Sequence, residues 1–357
     1  MYALLQVAEL LRNLINFESE DKNTMVNILP RVGITMGDAA GIGPEIIVKC
    51  LANAELYKIC NPVVLGDSRV IQAAVTLTQT ELEIRSINRT EMPEVKPGLI
   101  YVIDYQNVNP STYEMGVINA NNGDAAVHYT KEAGHMCLDG RMASMVSAPL
   151  NKEAMRAAGH NYEGQTQILA ELCGAKRHGM ALILGDLRIM LLTTHMPLRT
   201  AIDRIKKDLV ITMVELAWNM LKFIEVPDPV IAVAGLNPHA GEGGLFGSEE
   251  IDEIIPAIED CKSKGMNVAG PLPADTVFHR AKQGEFDLVL ALYHDQGLMA
   301  VKLLGFGSAV TLLAGLPLIR TSVGHGTAFD IAGKNRADHI NLYKAIELAS
   351  ELGARIK

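Results

Sequence analysis

Three histidines each follow a short apolar run, at the point where a buried strand would end. The runs and the histidines after them are 189–192 with His195, 230–234 with His239, and 288–292 with His294. The carboxyl ends of parallel strands share one edge of an open α/β sheet, so the three imidazoles could meet there. Three neutral imidazoles suit a borderline divalent ion such as Zn²⁺, Co²⁺, Mn²⁺ or Ni²⁺ and leave coordination positions for a substrate. Taken singly, each histidine could equally be a polar loop residue.

Two glycine-rich segments and two basic residues are further candidates for ligand contact. Residues 37–45 predict either a tight strand-to-helix turn or a ligand-facing loop. Residues 241–247 contain four glycines, which indicate close approach to a ligand, strained φ angles or a flexible lid. Lys302 and Arg320 lie in or beside apolar stretches, where an unpaired charge is costly. Their expected partner is a substrate phosphate or carboxylate, or an internal Asp or Glu.

The elements that must position these residues alternate along the chain, as in parallel βα units. Strands are predicted at 32–35, 63–65, 144–148, 189–192, 230–234 and 288–292, and helices at 44–54, 69–78, 206–223, 248–263 and 338–352. At 357 residues the chain is too long for one ordinary core. We therefore expect two α/β/α domains, 25–150 plus 305–357 and 151–304, with the active site in the cleft between them. Residues 1–24 predict an extra amphipathic helix.

Composition excludes several classes of protein. A net charge of -9 without a basic run argues against a nucleic-acid partner. No apolar run reaches the roughly 18 residues of a membrane span, so no membrane partner is expected. Five cysteines without CxxC spacing indicate neither a disulfide framework nor a thiolate zinc site, and they fit a reducing cytoplasm.

From about Arg31 to its end, the chain resembles the 4-hydroxythreonine-4-phosphate dehydrogenase family. The motifs that carry the resemblance lie at 37–45, 148–152, 193–199, 236–244, 271–275, 293–297 and 325–328. The resemblance implies a fold like that of isocitrate and isopropylmalate dehydrogenases. It also implies a homodimer with an active site shared between subunits, and a role in pyridoxine biosynthesis.

The resemblance also assigns roles to single residues. The metal ligands would be His195, His239 and His294, holding Zn²⁺, Co²⁺, Mn²⁺, Ni²⁺ or Mg²⁺. Substrate would be bound by Lys152, Gln165, Thr166, Lys302, Thr311 and Arg320. A nicotinamide cofactor, NAD or NADP, would contact His325, Gly326, Thr327, Asp330 and Asn335, on a segment similar to the adenosine-binding loop of the decarboxylating dehydrogenases.

Four positions depart from the family's usual pattern. Gln165 stands where the family has a substrate-contacting histidine, and Thr311 where it has asparagine. Ala39 and Gly324 replace a proline and an aspartate. Because glutamine cannot take up a proton at neutral pH, any acid or base role of that histidine is lost here. The stretch 148–153 looks more like the branch that acts on 4-phospho-threonate or 4-phospho-erythronate.

The activity implied is a metal-dependent NAD(P) dehydrogenase that oxidises a phosphorylated 3-hydroxy acid, with loss of CO₂. Asp275 and Asp295 are the candidate catalytic carboxylates, although Asp295 fits better as a partner of a metal-bound histidine. Two alternatives fit the sequence as well. One is a dehydrogenase of an unphosphorylated diol acid, which Gln165 favours, and the other is a non-catalytic metabolite-binding homologue, which the three intact histidines oppose.

Overall fold

A computed structural model describes residues 29–355, and a single twelve-stranded sheet runs through them. The strands are β1 (Arg31–Thr35), β2 (Asn61–Gly66), β3 (Glu83–Ile87), β4 (Leu99–Asp104), β5 (Ser144–Ser147), β6 (Gly179–Leu184), β7 (Leu187–Leu191), β8 (Val230–Ala234), β9 (Asn267–Leu272), β10 (Leu288–Ala291), β11 (Val310–Ala314) and β12 (Arg320–Val323). Their order across the sheet is β3-β4-β2-β1-β5-β12-β11-β6-β7-β10-β8-β9.

Strand direction changes in the middle of this sheet. All pairs from β3 to β12 are parallel, and so are all pairs from β7 to β9. The three pairs β12–β11, β11–β6 and β6–β7 between them are antiparallel. The two parallel halves therefore run in opposite directions, and β7, β10 and β8 end at one common edge.

Eleven α-helices accompany the strands in the described part of the chain. They are α1 (Gly43–Leu51), α2 (Ser68–Thr78), α3 (Ala120–Leu138), α4 (Lys152–Ala157), α5 (Gln165–Leu172), α6 (Leu198–Arg204), α7 (Lys207–Phe223), α8 (Ile255–Ser263), α9 (Ala274–Lys282), α10 (His294–Gly305) and α11 (Ile340–Gly353). Side-chain caps fix several helix starts: Asn151, for example, accepts hydrogen bonds from the backbone N–H groups of Glu153 and Ala154 at the start of α4. None of the helices within residues 29–355 combines the length and the apolar composition needed to span a membrane.

The strands are apolar because helices cover both of their faces. In β10, Leu288 and Leu290 pack in one hydrophobic cluster with α7 and α8, whereas Val289 and Ala291 pack in another with α9 and α10. A third cluster surrounds β1, β2, β4 and β5. Burial on both faces is why these strands read as continuous apolar runs.

The predicted α/β fold is confirmed, and each strand and helix predicted within residues 29–355 overlaps an observed element. The expectation of parallel pairing alone is wrong for β6 and β11, because alternation of strands and helices does not specify strand direction. Residues 248–263 begin with a π-helical turn at Glu250–Ile254 before α8. The helix predicted at 1–24 lies outside the described residues, and the two domain ranges stay a prediction.

Candidate active site

The three histidines follow three neighbouring parallel strands. β10 lies between β7 and β8, and its register with both places the three carboxyl ends at the same edge. The rings of His195 and His294 lie with their centroids 5.3 Å apart. The sequence-based expectation that these loops share an edge is therefore met, and two of the imidazoles are neighbours.

His239 lies in a loop with an unusual backbone conformation. Residues 239–243 all have positive φ values, so the backbone makes a left-handed turn that contains Gly241 and Gly243. The His239 ring packs edge-on against Phe246, with 6.0 Å between ring centroids. Its side chain remains 64% exposed. Gly241 and Gly243 adopt positive φ values at little cost, as the sequence indicated, whereas His239, Ala240 and Glu242 adopt them although most side chains disfavour this conformation.

Two of the three histidines have a carboxylate at Nδ1. Asp295 Oδ1 lies 2.8 Å from Nδ1 of His294, and Glu242 Oε2 lies 3.1 Å from Nδ1 of His239. An ionised carboxylate can only accept, so Nδ1–H donates in each pair, and in the neutral form of the imidazole Nε2 keeps its lone pair. This is the arrangement that prepares a histidine to bind a metal ion. Glu242 had no sequence signal beyond its place in the glycine-rich loop.

Electrostatics favour a neutral His195. Desolvation lowers the pKa of its imidazole, and the charges of Lys152 and His294 lower it further. Lys152 begins α4, and a Cβ built on Gly164 would lie 3.7 Å from its Cε. The side chain of Lys152 therefore lies close to both His195 and the start of α5.

Within residues 29–355, no three His, Cys, Asp or Glu side chains stand close enough together to hold one metal ion. The chemistry of the donor set nevertheless fits a divalent ion, because Nε2 is left available in both carboxylate-bound imidazoles and His195 is biased towards its neutral form. The metal site of His195, His239 and His294 stays a prediction.

Arg320 is the buried basic residue of this region. It is the first residue of β12 and is 5% exposed. Its Nε donates to Ser147 Oγ and its Nη2 to Gln165 Oε1, both at 3.1 Å. Burial lowers the pKa of its guanidinium to about 10, which leaves it charged at neutral pH. No ion pair joins Arg320 to a carboxylate of the described residues, and the internal Asp or Glu considered as its partner is not found there.

A row of hydroxyl groups crosses the sheet beside this arginine. Thr35, Ser147, Ser322 and Thr311 occupy one register position on β1, β5, β12 and β11, since each is paired with the next. All four are buried, and Thr35 Oγ1 has no hydrogen-bond partner among the described residues. Arg320 lies two residues before Ser322 and so faces the same side of the sheet. The sequence predicted only Thr311, because the row depends on strand register.

Lys302 differs from Arg320 in its surroundings. It is exposed on α10, and Met299, Leu303 and Phe306 are exposed near it, at 70%, 88% and 83%. The argument that its charge must be buried is wrong, because the apolar stretch around it faces outward. Of the other predicted substrate residues, Thr311 is buried and Thr166 is half-buried at the start of α5.

The segment predicted to bind a nicotinamide nucleotide covers the first glycine-rich loop. The backbone N–H of Ile42 donates to the Thr327 carbonyl, and a Cβ on Gly41 would lie 2.9 Å from Thr327 Cβ. Gly326 has open space where a Cβ would point. Asp330 and Asn335 are exposed, and His325 is half-buried with Nδ1 3.0 Å from the Gly326 carbonyl oxygen. Residues 37–45 thus form a tight turn that packs against residues 325–335, where the side chains of Asp330 and Asn335 are exposed.

The two candidate catalytic carboxylates separate in role. Asp295 is engaged with His294, as described above, while Asp275 is exposed in the first turn of α9. Of these two carboxylates, Asp275 is therefore the one without a side-chain partner among residues 29–355.

Comparison with known proteins places this chain in a family. The family model described as "Pyridoxal phosphate biosynthetic protein PdxA" matches residues 58–349. The chain belongs to the PdxA family. It is 46% identical over 332 residues to the D-threonate 4-phosphate dehydrogenase of Cupriavidus necator, a match that covers 93% of this chain and 99% of that relative.

Solved structures agree with the family assignment. The 4-hydroxythreonine-4-phosphate dehydrogenase of Klebsiella pneumoniae matches with a TM-score of 0.85 and 41% identity, over 93% of this chain and 99% of that one. The terephthalate 1,2-cis-dihydrodiol dehydrogenase of Burkholderia xenovorans matches less well, with a TM-score of 0.63 and 32% identity over 90% of this chain and 98% of that one. The α/β fold of this PdxA family member is thus the fold of several named dehydrogenases.

Proposed function

We propose that this PdxA family member is a metal-dependent NAD(P) dehydrogenase that oxidises a phosphorylated 3-hydroxy acid, with loss of CO₂. D-threonate 4-phosphate is the first candidate substrate, because a relative with 46% identity is named for it. The observation that carries the proposal is Arg320, a buried cation whose recorded partners are neutral. An anionic substrate would supply the missing charge, and a guanidinium binds phosphate or carboxylate with paired hydrogen bonds.

Several side chains would share the work of binding substrate. Arg320 binds an anionic group from the sheet side, and Lys152 adds positive charge between the arginine and the histidine edge. Thr311 and Ser322 offer hydroxyls on the same face of the sheet as Arg320. Thr166, at the start of α5, is placed to donate a hydrogen bond to a substrate oxygen.

His195, His239 and His294 would hold the divalent ion. Such an ion lowers the pKa of a coordinated substrate hydroxyl and stabilises negative charge that develops during loss of CO₂. Asp295 and Glu242 fix the ring orientation of His294 and His239 through Nδ1. Asp275 is the proposed proton acceptor, because Asp295 is already engaged.

Residues 325–335 would bind the nicotinamide nucleotide that accepts the hydride. His325, Asp330 and Asn335 supply polar groups, and Gly326 and Thr327 bring the backbone close to the ligand. The buried turn at 37–45 supports this segment from below.

A homodimer with shared active sites completes the proposal. The exposed apolar side chains on α10 surround Lys302, which suits a surface covered by a second subunit. Lys302 would then reach the substrate of the partner subunit. We place the protein in the cytoplasm, since its five free cysteines fit a reducing compartment.

The test is a substrate panel with purified protein, NAD or NADP, and each divalent ion in turn. D-threonate 4-phosphate, D-erythronate 4-phosphate, 4-hydroxythreonine 4-phosphate and unphosphorylated threonate are compared by absorbance of the reduced nucleotide at about 340 nm and by release of CO₂. We expect turnover only with a phosphorylated acid. Equal turnover of free threonate would support the diol acid alternative, and no turnover of any substrate would support the non-catalytic one.

A further inference from the structure

Gln165 has both ends of its side-chain amide engaged with the protein. Oε1 accepts a hydrogen bond from Arg320 Nη2 at 3.1 Å, and Nε2 donates to the carbonyl oxygen of Ala148 at 2.9 Å. The side chain is 8% exposed. Ala148 directly follows β5, and Ser147, the last residue of that strand, binds Arg320 Nε. The carboxyl end of β5 therefore holds the Arg320 guanidinium in two ways. Ser147 contacts it directly, and Ala148 holds Gln165, which contacts it in turn.

The partners of Arg320 orient it without neutralising it. A guanidinium has five N–H donors in a fixed plane, and two of these are used by Ser147 and Gln165. Both acceptors are uncharged oxygens, so they do not neutralise the positive charge of Arg320, which remains available to bind an anion. A carboxylate at position 165 would occupy the same donors and cancel that charge internally.

We propose that Gln165 is a positioning residue, which braces the Arg320 guanidinium so that its unused N–H groups point at an anionic group of the substrate. Gln165 acts through Arg320 and does not itself bind the substrate, in contrast to the role expected from the family resemblance. This inference rests on the proposed function for the identity of the substrate, and on the contacts above for the brace. Because an amide does not titrate, the brace is the same at any pH at which the fold is stable.

The test measures the binding of inorganic phosphate and of D-threonate 4-phosphate by titration calorimetry on the full chain. Gln165→Glu should weaken both affinities at least tenfold, because the new carboxylate pairs with Arg320. Gln165→Met removes the brace without adding charge and should weaken them less. Gln167→Glu is the matched control: it adds the same charge two residues away on α5, where the side chain is exposed, and should change affinity less than twofold.

A double-variant cycle separates a brace from a direct contact. In an Arg320→Met background, Gln165→Glu should have no further effect, because the group it acts through is gone. In steady-state assays, Gln165→Glu should raise KM while kcat stays within about threefold, a split that general loss of structure would not produce. Thermal unfolding of each variant verifies that it is folded, and Gln165→Met decides the question if Gln165→Glu does not fold.

Three results would overturn the inference. The first is phosphate affinity in Gln165→Glu and Gln165→Met equal to that of the unmodified protein. The second is additive effects in the cycle, which would show that Gln165 touches the anion itself. The third is absence of phosphate binding by the unmodified protein. Loss of turnover on every substrate, with phosphate binding behaving as expected, would instead remove the proposed function and leave the brace intact.

Discussion

At the scale of single residues, Asp38 has an unusual environment for a carboxylate. It lies in the turn after β1 and is fully buried. Oδ1 accepts a hydrogen bond from the Ala40 backbone N–H at 2.9 Å, whereas Oδ2 has no partner among the described residues. Desolvation raises the pKa of this carboxyl to about 6. The ionised form is therefore less favourable in the folded protein than in the unfolded chain.

This shift predicts how stability depends on pH. Between about pH 4 and pH 6 the folded state binds more protons than the unfolded chain, so the contribution of Asp38 to stability is lost as pH rises. Asp38→Asn keeps the acceptor for Ala40 and does not ionise. Relative to the unmodified protein, the variant should gain about 2 kcal/mol of unfolding free energy between pH 4 and pH 7.5. Urea unfolding at the two pH values measures the gain, and an unchanged difference would show that folding does not raise the pKa of Asp38.

His239 gives a second prediction at this scale. His239→Asn removes the imidazole and retains a residue that tolerates positive φ. We expect turnover to fall at least a hundredfold and bound metal to be lost, with little change in thermal stability because the side chain is largely exposed. Metal analysis and activity assays measure both effects, and His279→Asn, an exposed histidine on α9, is the control. Near-normal activity of His239→Asn in chelator-treated buffer would exclude the metal mechanism.

Burial was the hardest property of single residues to predict. The sequence places Lys302 and Arg320 in similar apolar stretches, but only Arg320 is buried. Which side of a strand or helix faces the core depends on packing that apolar content alone does not specify. Thr35, Ser147 and Ser322 were missed for a related reason, since hydroxyls on three separate strands become neighbours only once register is fixed.

At the scale of elements, most of the site was predictable. Apolar runs followed by histidines predicted β7, β8 and β10, because parallel strands buried on both faces read as continuous apolar runs. Their common edge followed from the rule that parallel strands end at the same edge of a sheet. The left-handed turn after β8 could be anticipated from its glycines, but not the positive φ values of His239, Ala240 and Glu242 within it. Strand direction in β6 and β11 had no signal in the sequence.

A close contact between helices α3 and α4 gives the prediction at this scale. A Cβ on Gly123, in α3, would lie 2.2 Å from the backbone carbon of Ala154 in α4. Gly123→Ala should therefore displace α4 and with it Lys152, raising KM and lowering the unfolding free energy by about 3 kcal/mol or more. Gly134→Ala, also in α3, meets only the side-chain ends of Leu169 and Leu172.

Because those leucine ends can shift, the Gly134→Ala variant should lie within about 1 kcal/mol of the unmodified protein, helped by the better helix propensity of alanine. Chemical unfolding and steady-state kinetics of the two variants provide the comparison. Equal stability of the two would mean that α3 and α4 are less tightly packed than their backbones indicate.

At the scale of the whole molecule, the exposed face of α10 predicts an oligomer. Leu303→Glu should convert a dimer to monomers, because a charge replaces an apolar side chain that is 88% exposed in the single chain. Leu138→Glu, at the end of α3, is the control and should leave the dimer intact. Analytical ultracentrifugation gives the mass of each.

Lys302→Ala should instead keep the dimer and raise KM for the phosphorylated substrate, since it removes one cation of the proposed shared site. A monomeric unmodified protein with full activity would contradict the shared site. An unchanged KM in Lys302→Ala would remove that residue from substrate binding.

The antiparallel strands in the centre of the sheet also govern how the protein should denature. β11 is hydrogen-bonded on one side to β12, which belongs to one parallel half, and on the other side to β6. β6 is in turn hydrogen-bonded to β7 of the other half. Neither half can melt without exposing the edge of this strand, so heat should disrupt both together. We expect a single calorimetric transition, and two resolved peaks would mean that the halves lose their structure independently.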